Sequence, residues 1–492
     1  LTASRAWFTN HRLADSAIQR MTRPASTILL KNALAVATCD DRRTRLRDAS
    51  ILLRGNRIEA VGPEADAKTP RDARVIDASR HVVVPGFVNT HHHLYQTLTR
   101  VIPAVQNAKL FDWLVALYEI WREITPEAVH VGALVGLGEL LLTGCTTTTD
   151  HHYLFPRAAD PHLIDEEFRA AATLGIRFQP TRGSMSRGRS HGGLPPDDVV
   201  QTADEILRDS ERLIDRFHDP QPFAMTRVAL APCSPFSVDE TIMRETARLA
   251  RDRSVRLHTH LAETRDEEEY CLQVYGKRPT ALMEELGWLG PDVWFAHCVH
   301  FNEDDIRLFT ETKTGVAHCP ASNLRLGSGI PPVPAMIRAG VPVGLGVDGS
   351  ASNDSSDMLG ELRNSLLLHR ALGGADATTV DDVLWMATRG GAAVLGREEI
   401  GSIEAGKAAD LALFRVDRLA YAGAMHDPIA ALILCGDSHI ADCTIVNGAV
   451  VVKDGRLVFG DEAEIIERAN EVARVMITRT QQKVGSPAGE RR

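Results

Sequence analysis

The sequence predicts an α/β fold: a (β/α)8 TIM barrel with a small β-sandwich domain built from both termini. Three observations predict it. Eight short apolar, strand-like runs alternate with helical stretches through the middle of the 492-residue chain, the arithmetic of eight βα units. Short β-patterned segments occupy both ends, too few at either end for a domain of their own. The histidines and carboxylates able to do chemistry follow the C-terminal ends of the apolar runs, where barrel enzymes build their sites. Alternation alone fits an open doubly wound sheet equally well; this last observation favours the barrel.

The elements follow in chain order. Residues 1–24 read as a leader: the first twenty lack an initial Met and the apolar segment of a signal peptide, and Met21 is the more natural start. Segments 28–40, 49–63 and 73–79 are β-patterned, as are 409–417 and 442–458, the last with Asn-Gly and Asp-Gly turn signals. Pooled, residues 25–84 and 405–465 make the sandwich, and 85–404 make the barrel. Its strand-like runs lie at 82–90, 146–150, 176–183, 227–235, 255–263, 293–301, 315–323 and 341–350. The clearest helix opens at Thr125-Pro126, an N-cap followed by proline at the first helical position, and stops at Gly144. Helical periodicity returns from Glu462 to Gln482, and the closing GSPAGERR is expected to fray, giving a C-terminal helix and tail over 466–492.

Composition excludes several classes of function. With 55 basic and 65 acidic residues the formal charge is −10, so there is no general basic footprint for nucleic acid. No apolar run reaches the roughly 20 residues of a membrane span. The eight cysteines include no CxxC pair, which suits free thiols in a reducing compartment better than a disulfide scaffold. A cytoplasmic protein with neither nucleic-acid nor membrane partners is expected.

The sharpest chemical signal is His91-His92-His93 at the end of the first run. On an extended chain residues 91 and 93 point to the same side, so two imidazoles can grip one cation. The fifth run offers a second same-facing pair, His258 and His260, with Glu263 three residues on. His297 ends the sixth run and Asp348 the eighth. Singly, each has an ordinary reading as a packed core histidine or a capping carboxylate. Together, at successive strand ends, they make a nitrogen and oxygen site suited to Zn2+ or Fe2+. Such an ion lowers the pKa of bound water from about 15.7 to about 7.

The stretches PGFVNTHHH, HTHLAE, FAHCVH, GVDGSASND and, later, GSIEAGKAADLALF resemble the amidohydrolase superfamily across residues 25–465. The resemblance implies metal ligands at His91, His93, His260 and Asp348, with His258 behind them. It also implies Glu263 as a proton shuttle and His297 as a polarising group, with Asp348 sharing in catalysis. The fourth run, RVALAPCSPF, has no lysine to bridge two ions, so one divalent ion per subunit is expected, zinc ahead of iron. Members of that mononuclear kind are mostly deaminases of aminated heterocycles, and a homo-oligomer acting on a small heterocyclic molecule is implied.

The substrate is read from finer likenesses. His91 to Gln96 is similar to the HxHxxQ of guanine deaminases, whose glutamine contacts the purine edge; a neutral amide donates and accepts at once. LFDWLVALYEIW, TTTTDHHYLFP, GSMSRG and APCSPFS look like the 8-oxoguanine deaminases, a group that often carries the label hydroxydechloroatrazine ethylaminohydrolase. Cys233 stands where guanine deaminases place an arginine. Substrate contacts are therefore expected from Gln96 and Cys233, with His152, Tyr153 and Trp113 as further candidates. The bland readings are a helix cap for Gln96, a buried thiol for Cys233 and core packing for Trp113. Arg182, Arg187 and Arg189 read either as a loop over the site or as a solvated basic loop. The implied reaction is hydrolytic deamination, 8-oxoguanine to urate and ammonia first. Guanine or cytosine deaminase, an s-triazine chloro- or aminohydrolase, and an inactive structural homologue are the alternatives.

Overall fold

A computed structural model of the chain describes residues 27–435 and 439–485. The leader and residues 486–492 of the tail lie outside the described residues. Strands from both ends of the chain share one mixed nine-stranded sheet. Its path runs Arg456–Leu457, Ala449–Lys453, Cys443–Val446, Leu411–Arg415, His81–Pro85, Thr27–Ala37, Arg45–Arg54, Arg57–Val61, with Arg74–Asp77 parallel to Thr27–Ala37. The two ends meet where His81–Pro85 lies antiparallel to Leu411–Arg415, Pro85 opposite Leu411. Ile28, Leu30, Ile51, Leu53, Leu411 and Ile445 bury their side chains in a core of this sheet's own. The Asn-Gly and Asp-Gly signals are tight turns: Asn447, Gly448, Asp454 and Gly455 have φ of 51, 81, 53 and 71°, as a type I′ hairpin demands.

The middle of the chain forms parallel strands. Seven follow one another in sheet order: His151–His152, Thr181–Ser184, Ala229–Pro232, Arg256–Leu261, Val293–His297, Gly315–His318 and Val343–Leu345. A second parallel group joins Phe87–Asn89, Cys145–Thr148 and Arg177–Phe178. The strands curl so that the last approaches the first: Thr90 N–H donates to Leu345 O at 2.9 Å and Asp348 N–H to His91 O at 3.0 Å. Helices fill the crossovers, as Glu240–Asp252 does between the fourth and fifth strands. The helix Pro126–Leu142 begins where the sequence places it, with Thr125 Oγ1 accepting from Ala128 N–H at 3.2 Å. Among the described residues no helix is long and apolar enough to cross a membrane.

Two runs read as single strands are each divided. The run 82–90 breaks at Gly86, with His81–Pro85 in the terminal sheet and Phe87–Asn89 in the parallel one. A Cβ on Gly86 would lie 2.1 Å from the Thr146 side chain, so only glycine lets the chain pass from one sheet to the other. The run 176–183 breaks around Pro180, which has no N–H for the ladder.

Candidate metal centre and active site

The site residues sit at the C-terminal ends of the parallel strands on a backbone held out of its relaxed conformation. Ala262, His297, Cys298 and Asp348 have φ of 50, 72, 53 and 64°. Such left-handed residues cost on the order of 1–3 kcal/mol each and persist only where neighbours fix them. Here Cys298 N–H donates to Leu261 O at 3.0 Å and His300 N–H to Ala262 O at 3.0 Å, lashing the fifth strand's end to the sixth. His91 needs a glycine opposite: a Cβ on Gly346 would lie 2.8 Å from its own Cβ.

Carbonyl groups fix which ring nitrogen of each histidine faces inward. His93 Nδ1–H donates to His151 O at 2.7 Å, and His260 Nδ1–H to Cys233 O at 2.6 Å. His258 Nδ1–H donates to Trp294 O at 2.9 Å, so its Nε2 accepts, at 2.8 Å, from His91 Nδ1–H. Each of His91, His93 and His260 therefore aims an Nε2 lone pair at one point. His91 Nε2 is buried without a hydrogen-bond partner, and the Nε2 atoms of His93 and His260 face each other at 3.1 Å. Asp348 Oδ1 lies 3.3 Å from His91 Nε2 and 3.4 Å from His93 Nε2. Burial holds the imidazoles neutral, lowering His91 well below its ordinary pKa and His260 to about 3. One ring nitrogen of each of the three histidines lies within 4.8 Å of the others, and the Asp348 carboxylate meets two of them; with protons disfavoured, such a donor set fits a divalent cation.

Beside this cluster stand the acid–base groups. His297 Nδ1–H donates to Asn323 Oδ1 at 2.9 Å, turning Nε2 toward Glu263 Oε2 at 3.6 Å and Asp348 Oδ2 at 4.0 Å. Burial pushes the Glu263 carboxyl up to about 7 although His297 pulls the other way. Burial also disfavours the His297 cation, but the Glu263 and Asp348 carboxylates outweigh it and raise its pKa. A carboxyl group poised near neutrality beside a hydrogen-bonded imidazole can hold and move protons.

The expected substrate contacts fare differently. Gln96 is buried, its Oε1 has no hydrogen-bond partner in the protein, and its amide lies against Gly349, where a Cβ would fall 1.9 Å from Oε1. Tyr153 sets its ring edge-on to His93, centroids 5.2 Å apart. Trp113 is buried against Trp121, its Nε1 without a partner in the protein. Burial pushes the Cys233 thiol up to about 12, and the residue's evident service is its carbonyl, which orients His260. His152 has both ring nitrogens engaged within the protein: Nε2–H donates to Leu154 O at 2.9 Å and Nδ1 meets Glu167 Oε1 at 2.8 Å. Arg182 is no loop residue; it is buried over the Phe155 ring and bonded to Asp209 and Gln201.

The His152 network makes a test of its own. Since Nε2 carries the proton, neutral Nδ1 must accept from a protonated Glu167. Burial pushes that carboxyl up to about 8, against a lowering hydrogen bond from Asp150, whose own carboxyl burial raises well above its ordinary value; the unfolded value of Glu167 is about 4.3. Folding thus takes up a proton between those values. The contribution to stability is full below about pH 4 and is lost as pH rises through about 8, by about 1.4 kcal/mol per pH unit. Glu167→Gln keeps a donor for His152 but cannot titrate, so its stability relative to the parent should rise steadily with pH across that window. Denaturant unfolding at a series of pH values measures this; a pH-independent difference would refute the buried proton.

Sequence reading missed His151, Asn323 and Glu267. His151 donates Nε2–H to Ala231 O at 2.8 Å and stacks on His260 at 4.8 Å, its Nδ1 left without a partner. The doublet His151-His152 signalled that one ring faces inward, but the strand's register decides which. Asn323, in the SNL of the run after the seventh strand, carried no distinguishing signal.

The amidohydrolase family model matches residues 82–451. The chain is 50% identical to 8-oxoguanine deaminase of Pseudomonas aeruginosa, over 86% of this chain and 93% of that protein. It is 37% identical to hydroxydechloroatrazine ethylaminohydrolase of Pseudomonas sp. strain ADP, over 92% of this chain and 96% of the relative. Among solved structures, atrazine chlorohydrolase from Arthrobacter aurescens TC1 complexed with zinc is similar at TM-score 0.87 and 36% identity, covering 91% of this chain and 100% of that one.

Proposed function

Because the chain belongs to the amidohydrolase family and is a hydrolase acting on C–N bonds, we propose that it deaminates an aminated purine, 8-oxoguanine before others, to urate and ammonia. The observation that carries this reading is the convergence of three Nε2 lone pairs and the Asp348 carboxylate beside Glu263. His91, His93, His260 and Asp348 would hold one divalent ion, zinc ahead of iron, and the zinc in the similar chlorohydrolase structure supports that order. When bound, such an ion supplies Lewis acidity that makes water a nucleophile at neutral pH.

The chain's own residues do the rest. As the water oxygen bonds to the amine-bearing carbon, His297 or Asp348 takes its proton. Glu263 gives its proton to the adjacent ring nitrogen, takes up the proton of the new hydroxyl and passes it to the departing amine, and the proton held by His297 or Asp348 then returns to Glu263. The carbon–nitrogen bond breaks and ammonia leaves. Gln96 offers the free face of its amide to the purine edge, with Tyr153 and Trp113 bounding the pocket. Gln96→Leu is expected to lower kcat/KM by about 10–100-fold, the worth of one or two buried hydrogen bonds. Steady-state kinetics check it, and a change under twofold would remove the contact.

The same reading closes the curled strands as a (β/α)8 barrel over 85–404 and treats 25–84 with 405–465 as the sandwich, which the shared terminal sheet supports. It makes the protein a cytoplasmic homo-oligomer, in keeping with eight free cysteines. The deciding experiment is ammonia release across 8-oxoguanine, guanine, cytosine and s-triazines, with urate followed by its ultraviolet absorbance. Preference for a triazine would instead favour the second reading, which the likeness to atrazine chlorohydrolase supports.

A further inference from the structure

We infer that Glu267 is a positioning residue that locks Glu263 into its working orientation; this rests on the reading of Glu263 as the proton shuttle. Glu267 is fully buried in the first turn of the helix Arg265–Tyr275, and both of its carboxylate oxygens are taken up by backbone amides. It reaches back along the chain. Oε1 accepts from Ala262 N–H at 2.8 Å and Oε2 from Glu263 N–H at 2.9 Å. Thr264 Oγ1 accepts from Glu267 N–H at 3.4 Å, closing the turn from the other side.

Two N–H donors on two oxygens select the carboxylate. A carboxylic acid or an amide would turn one of its own donors against a backbone donor, and the helix N-terminus further favours a negative group. The clamp is needed because Ala262 sits at φ 50°, a conformation that side chains other than glycine avoid. Released, residues 262 and 263 would relax toward extended backbone, where successive side chains alternate faces. Glu263 would then turn away from His297. The clamp thus converts a buried charge into a fixed direction for the shuttle.

Glu267→Gln preserves shape and loses one of the two bonds. Its kcat should fall about 10–100-fold, the effect of a small misplacement of an acid–base group, with KM changed less than about threefold and metal content per chain unchanged. Hydrogen exchange read by mass spectrometry should show the Ala262 and Glu263 amides losing protection while the flanking strand keeps its own. In E267Q/A262G, turnover should partly recover, because glycine takes the left-handed conformation without the clamp; a merely structural role would give no such recovery. If E267Q does not fold, Glu267→Asp, too short to reach both amides, should show the same kcat and exchange pattern. Unchanged kcat, unchanged exchange, or a kcat loss that follows metal loss would overturn the inference. If Glu263→Gln keeps turnover while the exchange change appears, the shuttle reading fails and the clamp stands.

Discussion

Glu263→Gln is expected to lower kcat by about 10²–10⁴-fold, the range supplied by a positioned proton donor. Glutamine fills the same volume and can still donate a hydrogen bond, but it cannot give up its proton at the ring nitrogen or to a departing amine. Binding of the heterocycle should be little affected, so the loss should fall on kcat and kcat/KM alike, as when an interaction is made only in the transition state. The site supports so large an effect. The carboxyl is buried, held near neutrality at about 7, and stands 3.6 Å from His297 Nε2. It is not one of the four groups around the cation position, so the variant should keep its metal. Single-turnover kinetics beside metal analysis measure both quantities. A metal-replete variant within a few-fold of the parent would remove Glu263 from proton transfer.

What was legible in the sequence is what local spacing dictates. His91 and His93 share a face because a strand repeats every two residues, and Glu263 follows His260 by three. The Asn-Gly and Asp-Gly pairs fix their turns by the same kind of local chemistry. What was not legible depends on contacts between remote segments. Nothing near His258 says that Trp294 O occupies its Nδ1 and so makes it the acceptor for His91. His152 reads in sequence as free to meet a substrate, whereas Glu167, on a separate helix, engages its ring. The division at Gly86 follows from the approach of Thr146, sixty residues away in sequence. Glu267 lies four residues from Glu263, yet its role comes from a turn conformation that no periodicity announces.

Removal of the metal by a chelator is expected to abolish turnover and lower the melting temperature, and one equivalent of the ion to restore both. The reason is electrostatic. His93 Nε2 faces His260 Nε2 at 3.1 Å, and Asp348 Oδ1 stands 3.3 Å from His91 Nε2 and 3.4 Å from His93 Nε2. Without a cation these atoms must repel, take up protons that burial disfavours, or move apart, and each course weakens the joint between the first, fifth and eighth strands. An ion present at about 1,000 times its dissociation constant stabilises the folded state by about 4.1 kcal/mol. Loss of that contribution should be plain in calorimetry of the metal-free protein. Comparing Zn2+ with Fe2+ in the restoring step identifies the ion through recovered turnover, and titration gives the number per chain. Two ions per chain would contradict the single-ion reading. Full activity in metal-free protein, with unchanged melting, would mean that the four groups hold no ion at all, and the proposed hydrolysis would lose its source of nucleophilic water.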